Sequence, residues 1–187
     1  MRIVKYVEFV VNAVKNMKTV GTVFPFTAVA SRKMIQTVDF KNGKDFVELG
    51  GGNGAVTREL LKKMLPEARL IVFELDPKYA ASLRQIIDRR LTVVQDSAEH
   101  LEKYLKQAGM EQADAVLSTL PLVIFEKPLR NRIMDAVMRV LKPGGCYIQM
   151  QFSVMTKKEM KARFKNMRIT FTPFNMPPAF FYIVTKE

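Results

Sequence analysis

The sequence predicts an α/β protein with a doubly wound, seven-stranded and mostly parallel sheet, and three observations support this prediction. A short apolar run at residues 46–49 ends in glycines, and residues 56–64 then resume with helical spacing. The same order of strand, turn and helix recurs along the chain, as is typical of a parallel sheet covered by helices. Two final apolar runs, residues 168–174 and 179–185, are close enough in sequence to pair antiparallel and complete the sheet.

The individual elements follow from the same patterns. Apolar runs bounded by turn residues predict strands at 46–49, 70–73, 91–94, 113–117, 146–152, 168–174 and 179–185. Apolar residues at helical spacing predict helices at 28–38, 56–64, 79–89 and 128–141, and one through His100 and Tyr104. Pro77 starts the helix after the second strand, where its missing N–H costs nothing. Lys-Pro-Gly-Gly at residues 142–145 predicts a turn that feeds the fifth strand.

The turn after the first strand carries the first functional signal. Its glycines follow an acidic residue with the spacing Glu48-x-Gly50-x-Gly52-x-Gly54. Strand, glycine turn and helix is the geometry that lets bare backbone pass close to a nucleotide. The spacing departs from the dinucleotide fingerprint G-x-G-x-x-G, because no glycine stands three residues after Gly52. The alternative is a tight connection between strand and helix that binds no ligand.

The end of the second strand favours the nucleotide interpretation. Glu74 stands twenty positions after Gly54, where an α/β nucleotide site places the carboxylate that binds the ribose hydroxyls. An ionised carboxylate suits both hydroxyls because its two oxygens only accept hydrogen bonds. The third strand also ends in an acidic residue, Asp96, and either Asp96 or Ser97 is suited to cap the helix that follows. These residues and residues 118–122 all follow strands, so they meet at the carboxyl edge of the sheet, where such folds bind ligands.

Length and composition exclude several classes of protein. A chain of 187 residues fits one domain, with residues 1–44 as an N-terminal helical cap and residues 45–187 as the core. The single cysteine rules out an intramolecular disulfide framework, and the single histidine leads us to expect no metal site. No apolar run approaches the ~20 residues that span a bilayer, and no signal-peptide cleavage pattern is present. We therefore expect an intracellular protein that starts at Met1.

The positive charge is concentrated at the two ends of the chain. The net charge is +6 over residues 1–44, +1 over residues 45–153 and +5 over residues 154–187. This segregation predicts an anionic partner, either a membrane surface or a nucleic acid. Within residues 1–20, apolar residues at helical spacing face a polar side that carries lysines and an arginine. Such a helix either packs on the core or lies in a membrane interface.

The motifs as a set resemble the class I S-adenosylmethionine-dependent methyltransferases, which have a Rossmann-like fold. The resemblance rests on residues 48–54 and on Pro-Gly-Gly at residues 143–145, and it implies S-adenosyl-L-methionine as the cofactor. It implies a cofactor site made of Glu48, Gly50, Gly51, Gly52, Gly54, Glu74, Leu75, Asp96, Ser97 and Ser118. In that superfamily the acidic residue after the third strand usually contacts the adenine amino group. The segment before the first strand commonly covers the cofactor, so Phe24 and Phe26 are either lid residues or core anchors.

Within this superfamily the chain resembles the bacterial phospholipid N-methyltransferases, which convert phosphatidylethanolamine towards phosphatidylcholine. The more specific marks are Ser-Thr-Leu-Pro-Leu at residues 118–122 and Asn-Met-Pro-Pro-Ala at residues 175–179. The resemblance implies a cytoplasmic enzyme, peripheral on the inner leaflet, whose partners are an anionic membrane surface and a phospholipid. The alternative is a ribosomal RNA adenine-N6 methyltransferase, which carries Asn-Leu-Pro-aromatic after the fourth strand. Here Thr119 and Leu122 replace the amide and the stacking ring, so we expect no specific nucleic-acid partner.

The chemistry requires an amine lone pair to be aligned with the methyl group, after the ammonium has lost its proton. We predict an amine-facing rim made of Ser118, Thr119 and Pro121. No residue is singled out as the base: His100 is expected to be structural, and Tyr6, Tyr182 and Glu126 are alternatives. A basic module that binds the cofactor or a membrane without turnover is the non-enzymatic alternative.

Overall fold

The computed structural model describes residues 26–187, and the strands within this range form one seven-stranded sheet of order β3-β2-β1-β4-β5-β7-β6. The strands are β1 Asp45–Leu49, β2 Arg69–Phe73, β3 Leu91–Val94, β4 Ala113–Ser118, β5 Leu141–Gln151, β6 Met167–Thr172 and β7 Ala179–Thr185. The helices are α1 Ala28–Met34, α2 Ala55–Lys63, α3 Pro77–Arg84, α4 Leu101–Gln107, α5 Lys127–Val140 and α6 Lys157–Arg163. The predicted amphipathic helix of residues 1–20, together with Tyr6 and Phe24, lies outside the described residues.

The sheet is covered on both faces, as the predicted doubly wound fold requires. One apolar cluster joins the sheet to α4, α5 and α6, and a second cluster joins the other face to α1, α2 and α3. The central strand β1 contributes to both clusters, since Val47 packs on the first and Phe46 on the second, and both are fully buried. Burial on both faces explains why the strands appear in the sequence as continuous apolar runs. The predicted fold class is confirmed.

Strand register brings the loops that follow the strands to one edge. Leu49 at the end of β1 pairs with Phe73 of β2 and with Ser118 of β4. The strand β7 runs antiparallel to both β5 and β6, so β6 is parallel to the rest of the sheet. The first six strands therefore end, and β7 begins, at the same edge, which we call the carboxyl edge.

The helix predicted at 28–38 is an α-helix only to Met34 and continues as the 3₁₀ helix Ile35–Thr37. Two other predicted boundaries are wrong by more, each for a reason that lies outside the local pattern. The helix expected at 79–89 ends at Arg84, because the chain then turns and Arg90 donates to the carbonyl oxygens of Leu61 and Met64 at the end of α2. The fifth strand begins at Leu141 rather than at 146. The sequence Pro-Gly-Gly forms a bulge inside it, since the pairing with β4 shifts between Ala113 and Ala115.

The helix α6 was not predicted from the sequence. It has only seven residues, and its apolar contribution to the core comes from Met160 and from Phe164 just after its end. Their i, i+4 spacing is the one helical signal in a segment that is otherwise lysine-rich. Within residues 26–187 no helix combines the length and the apolar character needed to cross a bilayer.

The turn between β6 and β7 is attached to the start of α1 by Asn175. This side chain is buried, its Oδ1 accepts from the backbone N of Thr27 at 3.1 Å, and its Nδ2 donates to the carbonyl of Pro177 at 2.9 Å. The hydroxyl of Thr27 in turn donates to the carbonyl of Phe174 and accepts from the N–H of Ala30, so Thr27 also caps α1. One amide thus fixes the angle at which the chain approaches the first helix.

Replacing Asn175 by alanine should therefore destabilise the fold. The change leaves a backbone N–H and a carbonyl without partners, and we expect the free energy of unfolding to fall by about 1–3 kcal/mol. Urea unfolding measures this. The matched control is Asn166→Ala, because Asn166 is exposed and its side chain donates to the exposed Glu187, and this variant should stay within about 0.5 kcal/mol of the wild type. Equal losses in the two variants would contradict the anchoring role.

Candidate functional site

A cavity of about 600 Å³ opens at the carboxyl edge, among the loops that follow β1 to β5. Its volume is typical of small-molecule sites. Residues that the sequence predicted for the site line it together: Glu48, Gly50, Gly51, Gly52, Glu74, Leu75, Asp96, Ser97, Thr119 and Pro121. The structure thus gathers residues from four separate stretches of the sequence around one space.

The glycine turn lies against the end of β2. The N–H groups of Gly50 and Gly51 both donate to the carbonyl of Phe73, at 2.8 and 3.1 Å. Gly51 has no room for a side chain, since a Cβ there would lie 2.5 Å from Val72 and 2.6 Å from Leu83. Gly52 has φ +49°, and a Cβ there would meet nothing within 4 Å. Its backbone therefore borders open space that a ligand is able to occupy.

Glu74 connects the second strand to this turn. Its carboxylate accepts from the N–H of Gly52 at 2.7 Å and from the N–H of Asp76 at 2.8 Å. Asp76 caps α3, as its position before Pro77 suggests. Leu75 projects from the same loop and is 69% exposed on the rim. Glu74 is half-buried beside the cavity, so the acceptor capacity that these two bonds leave is available to a ligand there.

Glu48 is a carboxyl group enclosed in the cavity wall. Its side chain is 1% exposed, Oε2 accepts from the hydroxyl of Thr57 at 2.6 Å, and Oε1 has no partner among the described residues. Burial, with a smaller contribution from the charge of Glu74, raises the pKa of Glu48 to about 8. A buried acceptor without a donor is costly in the free protein. A ligand that brings a positive charge close to this wall would offset that cost.

Asp96 lines the cavity, and groups from the turn and helix that follow it hold its carboxylate. It accepts from the hydroxyl of Tyr104 at 2.8 Å and from the N–H of Ser97 at 2.7 Å, and it lies 3.0 Å from the ring nitrogen Nδ1 of His100. The bond with His100, followed by that with Tyr104, lowers the pKa of Asp96 to about 2. The cap of the next turn is Ser97, whose hydroxyl accepts from the N–H of Glu99. His100 thus holds Asp96 in place, as expected for a structural residue.

The segment after β4 forms the opposite wall. Thr119 and Pro121 line the cavity, and the hydroxyl of Thr119 donates to the carbonyl of Gly50 at 2.6 Å. Ser118 does not reach the cavity: it is fully buried, and its hydroxyl accepts from the N–H of Leu120. Ser118 therefore supports the rim from below and does not face an amine or a cofactor there. Gly54 also lies behind the wall, at the N-terminus of α2 with φ +74°.

Sequence reasoning missed the part of the wall contributed by β5. Gln151, at the end of this strand, lines the cavity and is buried, and its amide nitrogen has no partner within residues 26–187. Nearby, Gln149 donates to the carbonyl of Leu120 at 2.9 Å and so fixes the loop after β4. The glutamines at alternate positions of an apolar strand were the available signal. Phe26 lines the cavity and also packs edge-on against Phe181, so it is a wall residue and a core anchor at once.

Two further candidates lie apart from this wall. Tyr182 is buried in β7 and donates to the carbonyl of Ser153, and burial raises the pKa of its hydroxyl. Glu126 is exposed at the start of α5 and does not line the cavity. Within residues 26–187 no cluster of three or more His, Cys, Asp or Glu side chains is suited to hold a metal ion.

The charge of the cavity opposes the charge of the whole chain. Four carboxyl side chains line it, those of Glu48, Glu74, Asp76 and Asp96, whereas no Lys, Arg or His of residues 26–187 does. The chain as a whole carries a net charge of +12. Bare backbone and an acidic wall together suit a nucleoside that carries positive charge.

We expect the burial of Glu48 to show in the pH dependence of stability. Because its folded pKa of about 8 lies above the ordinary value of 4.5, the folded state holds this proton more tightly than the unfolded state. The free energy of unfolding should therefore fall as the pH rises from about 4.5 to about 8. In Glu48→Gln, which keeps an acceptor for Thr57, that loss should be absent. Without ligand, the difference between the variant's and the wild type's free energies of unfolding should be larger at pH 8 than at pH 5, by at least about 1 kcal/mol.

Urea unfolding of both proteins at the two pH values makes this comparison. Thr57→Val serves as a control, since it removes the hydrogen bond and keeps the carboxyl group. Parallel pH profiles for the wild type and Glu48→Gln would contradict the raised pKa.

Comparisons with known proteins agree with this site. The profile of a family described as "Methyltransferase domain" matches residues 46–145. An ornithine lipid N-methyltransferase of Singulisphaera acidiphila is 32% identical over 168 residues, which cover 88% of either chain. Ribosomal RNA small subunit methyltransferase A of Thermotoga neapolitana is 28% identical over 132 residues, 68% of this chain and 48% of that protein.

Among solved structures, TrmN from Thermus thermophilus superposes with a TM-score of 0.72 at 16% identity. The match covers 87% of this chain and 49% of TrmN, so at this identity it supports the fold alone. The family profile spans the glycine turn, the carboxylates after β2 and β3, and the rim after β4. The chain belongs to the class I S-adenosyl-L-methionine-dependent methyltransferases.

Proposed function

We propose that this methyltransferase transfers methyl groups to the primary amine of a membrane-lipid head group, at an anionic membrane surface. The observation that carries the proposal is the similarity to an ornithine lipid N-methyltransferase along 88% of both chains. That match includes much more of the chain than the cofactor motifs. It therefore covers more of the chain than the methyltransferase profile does.

The residues of the cavity fit S-adenosyl-L-methionine. Glu74 is positioned for the ribose hydroxyls, Asp96 for the adenine end, and the backbone of residues 50–52 for close contact. The acidic wall, with the unpartnered Oε1 of Glu48, suits a molecule that carries a sulfonium and an ammonium group. When bound, the cofactor supplies a methyl group that is already activated for displacement. The protein's own task is to bind, orient and exclude water.

The acceptor half of the cavity lies between the rim after β4 and the end of β5. Its walls are Thr119, Pro121, Gln151 and the aromatic rings of Phe26 and Phe152. The carbonyl of Leu120 is held by Gln149, so the rim keeps one shape. Apolar walls with few polar groups suit a small amine attached to an apolar molecule. The amide of Gln151 is available to an oxygen of the head group, because its nitrogen has no protein partner among residues 26–187.

The composition of this half argues against a nucleic-acid base as the acceptor. Thr119, whose hydroxyl is tied to the carbonyl of Gly50, stands where the adenine-N6 methyltransferases have the longer amide side chain that accepts from the base. Leu122 stands where the stacking ring would be, and it is aliphatic and buried beneath the rim, so it cannot stack on a flipped base. No cationic side chain of residues 26–187 lines the cavity, so nothing there would hold a nucleic-acid phosphate.

Two lipids with a primary amine are candidates for the acceptor. Phosphatidylethanolamine carries a phosphate next to its amine, and that phosphate would have to remain outside the acidic cavity. An ornithine lipid has an amino-acid head group without phosphate, and the relative from Singulisphaera acidiphila is named for it. Both supply the same reacting group. The lack of a cationic wall among the described residues favours the phosphate-free head group once the amine is inside.

Cofactor binding should depend on Glu74. We expect Glu74→Ala to weaken binding of S-adenosyl-L-methionine by roughly 1–3 kcal/mol, because the ribose hydroxyls lose a charged acceptor. Calorimetry measures this, and NAD should not bind measurably to the wild type. Glu67→Ala is the matched control, since it removes the same charge from an exposed position before β2. Unchanged affinity in Glu74→Ala would remove this residue from the site.

Methyl transfer itself distinguishes the candidate functions. With labelled S-adenosyl-L-methionine, we expect label in lipid when vesicles contain phosphatidylethanolamine or ornithine lipid, and none in ribosomal RNA offered in parallel. Comparing the two vesicle types ranks the head groups. RNA binding without transfer would leave the proposal intact, since basic charge alone attracts RNA. Methylated adenine with no labelled lipid would overturn the proposal, and cofactor binding without any transfer would favour a non-catalytic module.

A further inference from the structure

Exposed apolar side chains are concentrated around the mouth of the cavity. Eight large apolar residues within residues 26–187 are exposed by 45% or more. Seven of them lie at or beside the carboxyl edge: Val29, Leu75, Val154, Met155, Phe171, Phe174 and Met176. The eighth, Ile87, precedes β3 at the opposite edge. Scattered exposed apolar residues need no explanation, but a concentration at one edge indicates an interaction site.

Six of the seven come from three segments that hydrogen bonds and strand pairing bring together, and we call these six the mouth patch: Val29, Val154, Met155, Phe171, Phe174 and Met176. They come from the start of α1, the loop after β5 and the region of the β6–β7 turn. Thr27 connects the first and third of these segments through its hydrogen bonds to Phe174 and Asn175. Tyr182 connects the second to β7 by donating to the carbonyl of Ser153. These bonds hold three distant parts of the chain side by side.

The charge around the mouth patch is positive. Residues 26–33, 152–158 and 171–178 contain no Asp or Glu, whereas they contain Arg32, Lys33, Lys157 and Lys158. The three lysines are exposed, while Arg32 lies 3.8 Å from Glu59. Large apolar side chains flanked by lysines, without acidic residues, are complementary to an anionic lipid surface, with the apolar groups at the acyl boundary and the lysines among the head groups.

The mouth patch also adjoins the acceptor half of the cavity. Phe26 lines the cavity three residues before Val29, and Ser153 lines it directly before Val154. A head group bound in the cavity would therefore extend towards this surface. We propose that the mouth patch is the surface by which the protein docks on an anionic lipid leaflet, so that the cavity opens directly onto its acceptor. The inference deepens the proposed function and rests on its acceptor being a membrane lipid.

A single tryptophan tests the docking directly, because the chain contains none. In Phe174→Trp, adding vesicles of phosphatidylcholine with phosphatidylglycerol should shift the emission to the blue, and brominated acyl chains should quench it. Ile87→Trp is the matched control, exposed at the opposite edge, and should show neither effect. No shift in Phe174→Trp would overturn the inference, as would a tryptophan that is already shielded before vesicles are added.

A second pair of variants measures the contribution of the surface. We expect Phe174→Ser combined with Met176→Ser to lower partitioning onto these vesicles by about tenfold, and Ile87→Ser to leave it unchanged. Affinity for S-adenosyl-L-methionine should stay the same in all of them, which confirms folding. Equal partitioning of the double variant and the control would overturn the inference. The inference would also be overturned if the protein formed a dimer that the double variant dissociates. It would be overturned too if RNA, and not vesicles, shielded the tryptophan of Phe174→Trp.

The two proposals fail in different ways. If Phe174→Trp inserts its tryptophan into vesicles and the wild type methylates no lipid, the docking surface stands and the lipid acceptor is wrong. If the wild type methylates lipid while the double variant partitions and turns over like Ile87→Ser, the acceptor stands and the docking surface is wrong.

Discussion

The junction between the ends of β1 and β2 determines where the rest of the site lies. Gly50 and Gly51 share the carbonyl of Phe73, and Gly52 donates to the carboxylate of Glu74. A side chain at position 51 would clash with Val72, so only glycine allows the turn to follow this path. That path exposes the backbone of Gly52 to the cavity, and the Gly52 N–H fixes the carboxylate of Glu74 beside it. The shape of the cofactor half of the cavity thus depends on hydrogen bonds from three N–H groups to two acceptors.

Sequence reasoning succeeded where the determinant is local. The apolar runs of β1 and β7, the helix start at Pro77 and the glycine turn each depend on residues that are neighbours in the chain. It failed where a distant contact decides, as when Arg90 binds the end of α2 and so helps end the preceding helix early. Ser118 shows the same limit, because strand register and not motif spacing turns it into the core.

The acceptor half was the least predictable part for a related reason. The motifs that mark the cofactor half are short and chemically specific, whereas Gln151 belongs to the site only because β5 lies next to β4. The pairing of Asn175 with Thr27 spans 148 residues, so nothing near either residue announces it. Nevertheless it sets the position of α1, and through it the wall that Phe26 contributes and the outer surface that Val29 shares.

The separation of charge between the cavity and the outer surface has a chemical consequence. An acidic wall attracts an amine as its ammonium form, yet the reaction needs the neutral amine with its lone pair. A cation placed beside the ammonium disfavours the protonated form, as any like charge does. With the cofactor bound, its sulfonium would therefore oppose the effect of Glu74, and of Glu48 once that group has lost its proton, at the point where the amine must lose its own. On this view the carboxylates serve first to bind the cofactor, and the bound cofactor then makes the acidic cavity compatible with a neutral amine. A lysine in the same wall would help the amine lose its proton but would weaken the binding of the cofactor. This is a physical reason why, within residues 26–187, the basic side chains surround the cavity without lining it.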